Sequence, residues 1–169
     1  MIPTTIEELD QIKKECTKLV NKRASASGLV AVIPVPGLDV GADVGIMMEL
    51  TSKINKKFGL SSDQIDELDT ETKRILMMII SSLGAELAGK LITKELVVQL
   101  LKKVGVKVAT KASVKFVPII GQAAAAGISF GAMKLLGRSH VEECYKICKK
   151  YIEDQQQEQV SEFETVSSK

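Results

Sequence analysis

AVIPVPGLDVGADVG at residues 31–45 and FVPIIGQAAAAG at 116–127 are two renderings of one pattern, an apolar run that bends through Pro-x-x-Gly and resumes as a segment of small side chains. Proline removes a backbone donor and glycine admits left-handed dihedrals, so each phrase predicts a corner where one helix ends and another starts. Pro34 and Gly37 mark the first corner, Pro118 and Gly121 the second. The expected fold is all-α: a single-domain bundle of about six helices, with two helical hairpins each bent at a Pro-x-x-Gly turn.

Composition agrees with that architecture. The 169 residues suffice to bury a core without disulfide or metal. Apolar residues make up 45% of the chain but aromatics only 4%, and tryptophan is absent, which predicts an aliphatic, closely packed helical core. Three cysteines at 16, 144 and 148, with no Cys-x-x-Cys, suit a reducing compartment. Glu7, Glu8, Asp10 and Glu15 interrupt the first fifteen residues, so no signal peptide is read there and a cytoplasmic location is expected.

Outward from the first corner, Ile6, Leu9, Ile12, Cys16, Leu19 and Val20 recur at helical spacing behind a Thr4/Thr5 cap, predicting a helix from about 5 to the low thirties. A second helix follows over 38–54 and stops at Gly59. Residues 61–72 read as a linker with a short helical turn, capped at Ser62 or Asp69. The run 75–92 is apolar nearly all round and predicts a central helix. Helices are then expected over 94–115, 122–137 and 139–155, giving a bundle over 1–154 and a disordered tail over 155–169. Gly37, Gly41 and Gly45 form one smooth ridge and Ala123, Gly127 and Gly131 another, which are expected to face each other or Ala85 and Gly89. Asp39 and Asp43 favour a helix N-terminus and a solvated face.

The stretch 90–115 sets seven lysines against the single Glu95. Lys94, Lys102, Lys103, Lys107, Lys111 and Lys115 are the candidate membrane-surface residues, and Val97, Leu101, Val104 and Val108 turn away from Lys103. A helix of this kind lies on an anionic bilayer as readily as it forms an ordinary solvated face. Nucleic acid is not an expected partner, because no arginine or aromatic is interleaved for base contact. Residues 116–133 are uncharged but weakly apolar, so a buried core helix is expected there ahead of a membrane-inserted one.

Two motifs suggest chemistry and then fail. Gly84, Gly89 and Lys90 fit Gly-x-x-x-x-Gly-Lys, yet Leu91 lacks the hydroxyl a magnesium ion needs, and the intervening AELA reads as helix interior. His140, Cys144 and Cys148 share a helical stripe that Cys16 could approach, but residues eight apart lie about 12 Å apart along a helix axis, too far for one zinc ion. A buried thiol stripe is expected instead, with no catalytic residue, no metal and no cofactor.

The phrases AVIPVPGLDVGADVGIMMEL and FVPIIGQAAAAGISFGAMKLLG resemble the helical domain that accompanies interferon-inducible immunity-related GTPases, and a bacterial helical domain of unknown function found beside Era-like GTPases. The similarity covers about 24–151, with Pro34, Gly37, Pro118 and Gly121 at the matching turns. The resemblance implies a helical module without the GTPase domain, and it transfers no catalytic residue. The expected function is a non-catalytic module that associates peripherally with membranes, partners a GTPase, or both. The alternative is a wholly soluble interaction bundle, including a homodimeric one, with no lipid affinity.

Overall fold

The computed structural model describes residues 1–30, 39–100 and 121–167. Pro34, Gly37 and Pro118 lie outside the described residues, and Gly121 opens a helix. Among the described residues the chain is all-helical, with no strand. Five helices are α1 (Ile6–Val30), α2 (Asp39–Phe58), α3 (Ser62–Asp66), α4 (Thr70–Ser82) and α5 (Gly121–Ser167), and residues 94–100 are helical as well.

Capping chemistry sets the boundaries. Thr5 Oγ1 accepts from the Glu8 amide at 3.2 Å while the Glu8 carboxylate accepts from the Thr4 amide, which starts α1. Gly59, at φ +72°, ends α2: its N–H donates to Lys56 O and the Leu60 N–H to Asn55 O, the paired bonds of a Schellman motif. Ser61, rather than Ser62, caps α3 in a reciprocal box with Gln64, and Asp69 caps α4 by accepting from the Glu71 and Thr72 amides.

α1 runs antiparallel to α5. Tyr145 donates to Asp10 at 2.8 Å, Lys13 pairs with Glu142, and Arg138 donates to Asn21, so numbers fall along one helix as they rise along the other. α2 lies along the same two helices, tied to α1 by Lys57–Glu15 and Arg23–Glu49. These exposed pairs fix register more than they stabilise. The stability resides in an aliphatic core that includes Leu9 and Val20 of α1, Met47 and Ile54 of α2, Leu76 of α4 and Ile147 of α5, with Phe58 the one phenylalanine, tyrosine or tryptophan among the fully buried side chains described.

Several expectations are corrected. The predicted helix over 75–92 stops at Ser82, and 83–93 is irregular, with Gly84 and Gly89 at φ +62° and +71°. α4 is also not buried all round: Leu76, Ile79 and Ile80 face the core, while Met77 and Met78 are 44% and 52% exposed. The break predicted between 137 and 139 is absent, because α5 is one helix of 47 residues. Among the described residues, a Cβ on Gly45 would meet nothing within 4 Å. The close approach is at Gly137 instead, where a Cβ would lie 2.8 Å from Val20 Cγ1 and 3.3 Å from Leu50 Cδ2, so α1, α2 and α5 meet over that glycine.

α5 also continues as helix through 155–167, for which the sequence predicts a disordered tail. Glutamate and glutamine are good helix formers, and extending an existing helix needs no new nucleus. Gln156, Gln157, Glu158 and Val160 are exposed.

Candidate functional site

Of the six candidate lysines, Lys94 is among the described residues. Lys94 is exposed at the first residue of the helical stretch 94–100, while Val97 and Leu100 of the same stretch are buried. These seven residues are about two turns of helix, and Leu96 and Val98 within them are half-buried. Lys102, Lys103, Lys107, Lys111 and Lys115 lie outside the described residues. Among the described residues, no helix is long and apolar enough to cross a membrane.

The polar centre of the molecule is elsewhere, inside the bundle. Asn55 of α2 and His140 of α5 are each 1% exposed and face each other, with His140 Nε2 at 2.9 Å from Asn55 Oδ1. Asn55 Nδ2 donates to the Leu87 carbonyl at 3.2 Å, so one amide side chain joins α2, α5 and the 83–93 loop. Thr51, one turn earlier on α2, is fully buried and turns its hydroxyl back onto the Met47 carbonyl at 2.8 Å. No buried side-chain nitrogen or oxygen among the described residues lacks a partner.

Asn55 and Thr51 were not singled out from sequence. The available signal was their place among Met47, Ile54 and Phe58, where a polar residue at a core position of an apolar stripe implies a buried hydrogen bond.

Cys144 joins this centre, its Sγ 3.6 Å from Asn55 Oδ1 and 3.7 Å from His140 Nε2. Cysteine, histidine and asparagine in proximity can form a nucleophilic site, but the protonation states here oppose it. Burial pushes the Cys144 thiol well above its ordinary range, and burial likewise raises Cys148 to about 12 and Cys16 to about 11. Burial lowers the His140 imidazole to about 4, with a hydrogen bond to the Thr51 backbone working in the opposite direction. A neutral thiol beside a neutral imidazole, both sealed from solvent, is a core contact. His140, Cys144 and Cys148 are thus the buried stripe that the sequence predicts, with Cys148 Sγ reaching the Phe58 carbonyl at 3.5 Å. Among the described residues, no three of His, Cys, Asp or Glu are grouped to hold a metal ion.

The lowered His140 pKa has a measurable consequence. The unfolded chain binds a proton near pH 6.5 that the folded chain refuses until about pH 4, so stability is intact above pH 6.5 and falls as pH drops through that window. The carboxylates held low, Glu15, Glu49, Asp69 and Glu71, lose their contribution only below their ordinary values of 4.5 and 3.8. Urea unfolding should therefore show a loss of about 2 kcal/mol between pH 7 and pH 5. His140→Gln should flatten that slope, and a wild-type stability that does not change over this interval would contradict the buried neutral imidazole.

The Gly-x-x-x-x-Gly-Lys stretch is a loop, which corrects its assignment to a helix interior. α4, a helix and not a strand, precedes it, and the Leu87 and Ala88 amides both donate to Oε1 of Glu143 at 3.1 and 3.2 Å. Gly89 N–H donates to Leu60 O, and Lys90 Nζ donates to Ala85 O at 3.2 Å. The loop is thereby tied to α2 and α5 through main-chain atoms.

The chain is similar to interferon-inducible GTPase 5 of Bos taurus, 28% identical over 131 residues, and to interferon-inducible GTPase 5 of Rattus norvegicus, 27% identical over 131 residues. Each match takes in 76% of this chain but only 28% of the relative, so the chain spans under a third of the length of these proteins. No protein-family model matches the chain. No solved structure matches it either.

Proposed function

We propose that this chain is a non-catalytic helical module that docks on an anionic membrane surface and works with a GTPase, in the cytoplasm. The observation that carries this reading is the similarity of 131 residues of an all-helical chain to part of interferon-inducible GTPases. Lys94 supports it as the exposed start of the basic stretch, with Val97 and Leu100 anchoring the opposite side. The non-catalytic part of the proposal is supported at the two motifs that suggest chemistry: His140 and Cys144 are buried with burial opposing their charged forms, and the Leu87 and Ala88 amides of the glycine-lysine loop hold a carboxylate.

Each lysine near an anionic bilayer contributes about 1 kcal/mol. Reversing three of them, Lys103, Lys107 and Lys111→Glu, should therefore weaken sedimentation with anionic vesicles by about a hundredfold or more at low salt. Circular dichroism should confirm unchanged helicity in the variant. Undiminished binding would remove the lysine face from the proposal.

A soluble interaction bundle is the second reading, and the exposed Met77 and Met78 on α4 favour it, since methionine adapts to varied apolar partners. A chain that ignores vesicles at every salt concentration but sediments as a dimer would support that reading instead.

A further inference from the structure

α4 and the end of α5 pack together and leave a groove of about 530 Å³ between them. Its α4 wall is Glu71, Arg74, Ile75 and Met78, the i, i+3, i+4 and i+7 positions of one helix face. Its α5 wall repeats the spacing with Asp154, Gln157 and Glu158. The α4 wall runs for about 10 Å, or about two turns, and this is the repeat on which an amphipathic helix seats its apolar side in a groove. Ile75 is half-buried there and Met78 is 52% exposed, so the described residues leave apolar surface open, and methionine adapts its shape to whatever covers it.

The rim decides which helix fits. The carboxylates Glu71, Asp154 and Glu158 stand against one guanidinium, Arg74, which pairs with Glu71 at 2.6 Å. Lys150 donates to Asp154 at 2.6 Å from the preceding turn of α5. Beyond Lys150 no lysine or arginine occurs before Lys169, while Glu153, Asp154, Glu158, Glu162 and Glu164 fall in that interval. The approach to α4 is acidic as well: Asp63, Asp66, Glu67 and Asp69 are exposed, and 61–71 contains no basic residue. With Arg74 and Lys150 set against the three carboxylates the rim is still negative, and complementarity of charge selects a basic partner.

We propose that the groove between α4 and the end of α5 is a docking site for a basic amphipathic helix of a partner protein, its apolar side on Ile75 and Met78 and its cations against the acidic rim. This deepens the interaction reading of Met77 and Met78 by naming the partner's chemistry, and it uses none of the lysines of the membrane reading.

Amide spectra of the full ¹⁵N-labelled chain test it, titrated with a short synthetic helix of leucine and lysine, and with the same helix carrying glutamate in place of lysine. The leucine–lysine helix should shift the amides of 74–78 and 154–158 saturably, and the leucine–glutamate helix should not. Met78→Ser should raise the midpoint at least about tenfold, whereas Met77→Ser, one residue along and off the groove wall, should leave it unchanged. Glu158→Lys should raise it about threefold or more at low salt, with the difference closing at high salt. All three positions are exposed, and the spectra of the free variants check that the fold is retained. No saturable shift at these amides, equal binding of the two helices, or equal effects of Met77→Ser and Met78→Ser would overturn the proposal. A chain that still sediments as a dimer would then keep the interaction reading without this groove.

Discussion

Asn55→Leu should cost about 3 kcal/mol of stability, because it strands two buried groups at once at about 1–3 kcal/mol each. Leucine keeps the branching of asparagine and leaves no cavity, so the loss combines the broken hydrogen bonds with the strain of a larger side chain. His140 Nε2 would lose its 2.9 Å partner, and the Leu87 carbonyl would lose the donor that ties the 83–93 loop to α2. Urea denaturation gives the magnitude, and hydrogen exchange over 85–89 should quicken more than exchange in α1. Adding His140→Leu should return part of the loss, since only the Leu87 carbonyl then stays unsatisfied. A single variant as stable as wild type would mean that Asn55 is not the joint between the two helices and the loop.

Gly59→Ala is the second large effect, and Gly84→Ala serves as its internal control. Both glycines sit in the left-handed region, at φ +72° and +62°, where a side chain costs about 1–2 kcal/mol. They differ in what surrounds them. A Cβ at Gly84 would meet nothing within 4 Å, whereas at Gly59 it would lie 2.6 Å from Met1 C, Met1 O and Ile2 N. Main chain cannot swing aside as a side chain can, so the first residues must lift off the end of α2 and expose the buried Ile2. Gly84→Ala should thus lose about 1–2 kcal/mol and Gly59→Ala about 3 kcal/mol or more, the difference being the cost of displacing the N-terminal crossing. Equal losses at the two positions would contradict the close passage of Met1 and Ile2 over Gly59.

The readable parts of this sequence are those whose physics is local. Threonine before glutamate, aspartate before Thr70 and glycine after Phe58 act within a few residues, and the starts of α1 and α4 and the stop of α2 follow from them. The 83–93 loop is different. ILMMIISSLGAELAG has the composition of a helix, and the chain leaves the helix there because Glu143, 56 residues on, and Asn55, 32 residues back, hold the Leu87 and Ala88 backbone in place. Helix propensity carries no record of such distant partners.

Gly137 shows the same limit from the opposite side. Before Arg138 and Ser139 it reads as a helix break, yet it lies inside α5 because Val20 and Leu50 occupy the space that a side chain would need. Of the site, the burial of His140, Cys144 and Cys148 was legible from their common stripe, but the partner that makes the arrangement coherent, Asn55, was hidden in the polar run NKK at the end of α2.

Flotation of the purified full chain with vesicles of neutral or anionic lipid, at low and at high salt, tests the functional proposal most directly. Recovery with anionic vesicles is expected at low salt, with its loss as salt shortens the screening length from about 10 Å toward 3 Å, and no recovery with neutral vesicles. A chain that stays at the bottom of the gradient with anionic vesicles at both salt concentrations would contradict membrane docking.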